Sequence, residues 1–318
     1  MKDIEFNNLG SKTSSELIVV LKKKDGAFGN RPCDECNYEF MDSNLHVTIE
    51  QCYERTVCIK SDSPVAMAIL WDEFATIEKL LMLMDGEFYS IKSVKFLSSD
   101  ITDGDECDVY ADECIARRLS YYKTDPVYCD ILNGFIKYDT VLNPELISKW
   151  HKLQDELDIV HNMALYNIAD TGITHDVKCA YFIEIFEPLV EIIGIYDKFF
   201  PSLEPGERNT TLKMCVDAVI SNYGKDIFAK EFSKKKDEFL KTLVNTRNRI
   251  MHIKTRQEKK YLSGTESVLY LVKLCHLYRI VILSLLGIDY ELYRPAVIKS
   301  VDLWNKWEGV LDAFINRL

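Results

Sequence analysis

The chain has 318 residues, 47% of them hydrophobic and 28% charged, and a formal net charge of −11 at pH 7. That composition excludes a disordered or low-complexity chain and leaves room for one large core or two medium ones. The acidic balance argues against nucleic-acid binding by the molecule as a whole. The opening residues "MKDIEFNNLGSK" carry no apolar core, so no secretory signal is expected and a cytoplasmic location is. Ten cysteines, most of them set singly in apolar runs as Cys179, Cys215 and Cys275 are, agree with a reducing compartment.

From the N-terminus, "ELIVVLK" and "LHVTIEQ" have the β-branched, apolar character of strands, and "FYSIKSVKFL" alternates in the same way. Between them "WDEFATIEKLLMLMDG" predicts a helix with Phe74, Ile77, Leu80, Leu81 and Met84 on one face and a stop at Gly86. The stretch "RPCDECNYEF" reads as a turn with two free thiols. Cys33 and Cys36 have the spacing of half a zinc knuckle, but Cys52 and Cys58 are too widely spaced to complete it, which leaves the pair as weak metal candidates. The run "SSDITDGDECDVYADEC" holds seven carboxylates between Asp100 and Glu113 without the order of a calcium loop, and reads as a solvated loop. Residues 120–144, with Pro126, Gly134 and Pro144, read as irregular and place a domain boundary near 135–143.

After Pro144 the apolar period changes from two to 3.6, predicting helices over about 144–169, 176–199, 210–231, 235–253 and 261–287. The run "LYLVKLCHLYRIVILSLLGI" is interrupted by Lys273, His276 and Arg279, so it reads as a buried helix and no membrane is expected as a partner. A last amphipathic segment, with Val297, Val301, Trp304, Leu311, Phe314 and Leu318, is either a lid on the bundle or a partner-binding helix. The expected fold class is α+β. A strand-rich mixed domain covers 1–138, an all-α bundle 139–290, and an amphipathic C-terminal helix 291–318.

Charge is unevenly placed. Residues 234–260 hold ten Lys and Arg against three acids, a local +7, so the rest of the chain totals −18. Inside this region lies "NTRNRIMHIK", residues 245–254. On a helix turning 100° per residue, Leu240, Leu243, Val244, Ile250 and Met251 form a buried stripe with Arg247 in its middle. Asn248 and His252 sit on the flank, one turn apart, and Arg249 points to the back. An arginine on a buried stripe must be paired. Its partner is either a carboxylate (Glu184, Glu187 or Glu191, on one face of a preceding helix) or a phosphate, which the planar fork takes in two-pronged fashion. A histidine beside it can move protons near neutral pH.

Arg247-Asn248-Arg249-Ile250-Met251-His252 fits the R-N-x-x-x-H form of the R-x4–6-H motif of the HEPN superfamily. Its place also fits, at the end of one helix and before a long apolar helix closing in "LLGI". The chain resembles the ApeA-like HEPN proteins of bacterial phage defence over about 145–288. A weaker likeness covers 65–97, where "FATIEKLLMLMDGEFYSIKSVKF" resembles part of their strand-rich N-terminal domain; the first 60 residues depart from the pattern. The resemblance implies an HEPN-like helical bundle and a metal-independent endoribonuclease with no cofactor. His252 would assist attack of the ribose 2′-hydroxyl on the adjacent phosphate, Arg247 would stabilise charge on the phosphoryl oxygens, and Asn248 would orient the histidine or hold a phosphate oxygen. Arg249, Lys254 and Asn245 are the substrate-binding candidates. It further implies a homodimer that joins two basic strips into one RNA groove, and a phage-derived or other trigger received by the N-terminal domain. The alternative is a non-catalytic HEPN module for dimerisation or for nucleotide or RNA binding, with Arg247 in a structural salt bridge.

Overall fold

The structure, a computed structural model, describes residues 11–22, 31–52, 54–85, 90–97, 104–121, 142–168, 173–192, 210–252 and 259–318. These fall into two compact units, one within 1–125 and 136–152, the other within 153–318.

The first unit is built on five strands, β1 Thr13–Lys22, β2 Arg31–Phe40, β3 Ser43–Gln51, β4 Arg55–Ala66 and β5 Ser90–Leu97. They form one antiparallel sheet in the order β2-β3-β4-β1-β5. Alternation gives the sheet an apolar face: Leu17, Val19 and Leu21, then Leu45, Val47 and Ile49, then Val57 and Ile59, then Val94 and Phe96 are all buried. Helix α1, Met67–Asp85, packs on β1 and β4. Phe74, Ile77, Leu80, Leu81 and Met84 are buried as their spacing predicts, and Leu70, Met82 and Leu83 are buried too, so α1 is enclosed on more than one side. The expected stop at Gly86 lies outside the described residues. Charges inside this unit are paired. Arg55 donates to Asp85 at 2.8 Å and to Gln51 at 2.6 Å, and buried Glu73 accepts from the Tyr38 hydroxyl and faces His151 Nε2 at 3.2 Å.

Two segments differ from expectation. "RPCDECNYEF" is strand β2, and the turn follows it at Met41–Asp42, whose φ angles of 45° and 59° make a two-residue hairpin with Phe40 opposite Ser43. From Gly104 onward the acidic run is not a solvated loop, and its first residues, 98–103, lie outside the described residues. It forms helix α2, Gly104–Tyr121, with Cys107, Tyr110, Ala111 and Cys114 buried at steps of three and four, and Asp108 and Asp112 exposed on the other side. Tyr110 meets Phe96 of β5 with ring centroids 5.3 Å apart.

Helix α3, Pro144–Ile168, contributes residues to both units. The second unit continues with α4 His175–Glu184, α5 Phe186–Ile192, α6 Leu212–Tyr223, α7 Ala229–Met251, α8 Thr265–Leu285, α9 Arg294–Asn305 and α10 Val310–Arg317. With its antiparallel sheet and ten α-helices among the described residues, the fold class is α+β. Helix α8 is the centre of the bundle and packs on α4, α6, α9 and α10. By length and composition it could cross a membrane, but 83% of its apolar window is buried inside the protein, as in a core helix. Its polar residues face inward as well. Lys273 donates to Glu231 at 2.6 Å, and the Tyr270 hydroxyl donates to the same carboxylate oxygen at 3.0 Å.

The expected helix over 176–199 is broken at Ile185, and residues 193–199 lie outside the described residues. The expected helix over 210–231 stops at Tyr223, and α7 begins at Ala229 with one non-helical residue, Lys235. The C-terminal segment is two helices separated by Glu308 (φ 45°) and Gly309 (φ 68°). Both pack against α8, which makes the segment a cover for the bundle.

Candidate active site

Helix α7 carries the site. Phe239, Leu240, Thr242, Leu243 and Thr246 are its buried residues in this stretch; the helix packs on α4, and Phe239 also meets Tyr270 of α8 and Phe314 of α10. The two threonines are accommodated because each hydroxyl donates to the carbonyl four residues earlier, Thr242 to Glu238 at 2.8 Å and Thr246 to Thr242 at 2.9 Å. The apolar stripe expected to run on through Val244, Ile250 and Met251 thins out here. Val244 and Ile250 are half-buried and Met251 is 38% exposed. Arg247 therefore lies at the edge of the core, its side chain 19% exposed, and Glu184 at the end of α4 is 27% exposed beside it.

The guanidinium is held from two sides. Nε and Nη2 donate to the two carboxylate oxygens of Glu184, the latter at 2.8 Å. Nη1 donates to Asn248 Oδ1 at 2.9 Å and faces His252 Nε2 at 3.1 Å. A guanidinium has no acceptor, so in this contact Nε2 is the accepting nitrogen. The hydrogen bond to Glu184 raises the arginine pKa above its already high value. Burial opposes this, and the charges of Glu184 and then Glu187 add to it. Four of the five guanidinium N–H groups thus have named acceptors, leaving one Nη2 hydrogen for an incoming oxygen. His252 caps α7, its N–H donating to the Asn248 carbonyl at 3.3 Å, and its ring is exposed to solvent. A permanent cation, an amide and an imidazole converge at one accessible point. That set can stabilise an oxyanion and accept a proton.

Arg247, Asn248 and His252 are thus brought together, and Glu184 is the acid that joins them, one of the three carboxylates on the sequence's short list. Asn245 and Arg249 are engaged elsewhere. Asn245 Nδ2 donates to the Lys260 carbonyl at 3.0 Å, and the Arg249 guanidinium lies 3.9 Å from the centre of the Tyr261 ring. Neither Tyr261 nor Thr246 was marked by the motif, and their only signal was proximity in sequence. Lys254 lies outside the described residues.

The weak metal candidates Cys33 and Cys36 lie on strand β2. On the extended backbone of β2 Cys33 is exposed and Cys36 buried, and among the described residues no group of three or more His, Cys, Asp or Glu is placed to hold a metal. Burial, then the charges of Glu50, Glu35 and Asp34, push the Cys33 thiol up.

The class so defined is an α+β protein whose helical unit ends a long helix in an Arg-Asn…His cluster. Residues 194–292 match the family model described as Apea-like HEPN, a window that contains α6, α7 and α8 and the whole of 247–252. Over that window the chain is similar to Apea-like HEPN domains, in line with the resemblance carried by the motif. No curated protein and no solved structure matches the chain.

Proposed function

We propose that the protein is a metal-independent endoribonuclease, acting on cytoplasmic RNA as a bacterial defence or toxin effector and working as a homodimer. At the coarser level, the family match supports a nuclease or RNA-related, defence-type role. The observation that carries the finer reading is the 3.1 Å approach of Arg247 Nη1 to His252 Nε2, with Asn248 on the same nitrogen. It puts a proton acceptor beside a fixed positive charge. In the proposed step Arg247 Nη1 turns from His252 Nε2 to a phosphoryl oxygen, the freed Nε2 takes the proton of a ribose 2′-hydroxyl, and the 2′-oxygen forms a bond to the adjacent phosphorus. The bond from phosphorus to the 5′-oxygen breaks, and the imidazolium returns its proton to the departing 5′-oxygen, directly or through a water. Arg247 offsets the charge on the phosphoryl oxygens. The products are a 2′,3′-cyclic phosphate and a 5′-hydroxyl. A trigger received by the N-terminal unit belongs to the same proposal.

One observation favours a second reading. Glu184 already fills the arginine fork, as it would in a structural pair within a non-catalytic binding module. Purified protein separates the two. On the first reading it cuts single-stranded RNA in EDTA, leaves DNA untouched for want of the attacking hydroxyl, and loses about a hundredfold or more in rate as His252→Ala. Arg247→Lys is expected to rescue little, since an ammonium cannot reproduce the fork. Cleavage that persists in His252→Ala, or that needs added divalent metal, leaves the binding module as the answer.

A further inference from the structure

The geometry points to a clasp, built by the C-terminal helix α10, that positions the candidate active site from behind, with Arg317 as its principal positioning residue. This inference rests on the ribonuclease reading for its kinetic consequence and on geometry alone for its structural one. The segment 260–262, which leads from the motif toward α8, is held on two sides. On one side are three residues of the motif helix. Asn245 Nδ2 donates to the Lys260 carbonyl at 3.0 Å, the Thr246 hydroxyl accepts from the Leu262 N–H at 2.8 Å, and Arg249 stacks on Tyr261 at 3.9 Å. On the other side is the end of α10. Arg317 donates to both oxygens of Glu266, at 3.0 and 2.7 Å, and its Nη2 also donates to the Tyr261 carbonyl at 3.1 Å. Lys260 Nζ in turn donates to the carbonyls of Leu318, at 2.8 Å, and of Arg317.

Asn245, Thr246 and Arg249 alternate along α7 with Arg247 and Asn248. One turn of helix therefore grips the clasp with its rear side chains and presents the cation and amide with its front ones. His252 is the cap of that turn, so its ring position depends on where the turn ends. The clasp also comes from outside the family match, which stops at residue 292. A planar fork that reaches two carboxylate oxygens and a carbonyl at once fixes direction as well as distance, which a lysine in its place would not.

The test uses the full chain and four variants: Arg317→Ala, Arg317→Lys, Glu266→Gln, and the exchanged pair Arg317→Glu with Glu266→Arg. In Arg317→Ala, kcat for single-stranded RNA is expected to fall about tenfold with KM within about twofold, since misplacement of a reacting group lowers rate more than affinity. Arg317→Lys should recover only part of the loss, and the exchanged pair more of it than either single change. Independently of catalysis, hydrogen exchange of the Leu262 amide should quicken in Arg317→Ala and Glu266→Gln while the melting temperature stays within a few degrees of wild type. Leu262 exchange equal to wild type overturns the clasp, and so does a kcat loss that merely follows a collapse in melting temperature. If the wild-type protein cuts no RNA, the ribonuclease reading fails by itself, and the exchange result still decides whether α10 holds the motif helix.

Discussion

At the scale of single residues, Glu184 does two opposed things to Arg247. It fixes the plane of the guanidinium, which lets Nη1 meet both Asn248 and His252, and it occupies the prongs that a phosphate would take. A charge-assisted pair of this exposure is worth about 1 kcal/mol to the fold. Glu184→Gln, which keeps an acceptor but removes the charge, should therefore lower stability in urea by about that much. It should also lower kcat for RNA, because the fork is then free to swing, without raising KM. A double-mutant cycle with Arg247→Ala tests the coupling. If the pair is purely structural, the two single changes and the double change cost similar stability, and no RNA-cleaving activity follows any of them. The need for a partner was legible, since an apolar period placed an arginine where water is scarce. Which of three acids would serve was not, because all three share one helical face and only the break at Ile185 sets Glu184 apart.

At the scale of elements, α8 carries a pH-dependent term of its own. His276 is fully buried and lies 2.9 Å from the Ser300 hydroxyl; burial, and then the charge of Arg279, hold its imidazole well below the usual histidine range. The folded state thus refuses a proton that the unfolded chain takes up below about pH 6.5. With more protons bound to the unfolded chain, stability falls as pH drops through and below that value. This group contributes at most about 1.4 kcal/mol per pH unit. Urea unfolding followed from about pH 7.5 down to pH 5 should show the loss, and His276→Gln should flatten it. An identical slope in the variant would mean that other groups carry the dependence.

The buried character of α8 was legible, because Lys273, His276 and Arg279 interrupt an apolar run too often for a membrane span. Other elements hid. Helix α2 keeps its apolar stripe in two cysteines, a tyrosine and an alanine, a weak signal beside five carboxylates. The β2–β3 turn has Met41 and Asp42 at positive φ, with no glycine to announce it. The helix end at Tyr223 has a cause visible only in three dimensions. A side chain at Gly224 would meet Phe228 at 3.0 Å and the Ile220 carbonyl at 3.1 Å, so the glycine is there for close packing.

At the scale of the whole molecule, the proposed function requires a chain of net charge −11 to hold RNA. The local +7 of residues 234–260 is partly engaged within the protein. Lys236 pairs with Asp217 at 2.7 Å, Lys241 with Asp237, and Arg247 with Glu184, and Lys260 is turned to backbone carbonyls. Lys234, Lys235 and Lys259 are exposed on the strip. If about four cations per chain reach phosphates, the logarithm of affinity for single-stranded RNA should fall against the logarithm of salt with a slope of about −3. A homodimer that lays two strips along one strand doubles the contacts and should give a slope of about −6. Fluorescence anisotropy of a labelled oligonucleotide on the His252→Ala protein, from about 50 to 300 mM salt, measures the slope without cleavage. Sedimentation at the same protein concentrations gives the oligomer. A dimer with the steep slope supports a joined groove, and a monomer with the shallow slope gives each chain a site of its own. A slope near zero removes RNA as the partner, because a protein this acidic has no route to phosphate that does not release counterions.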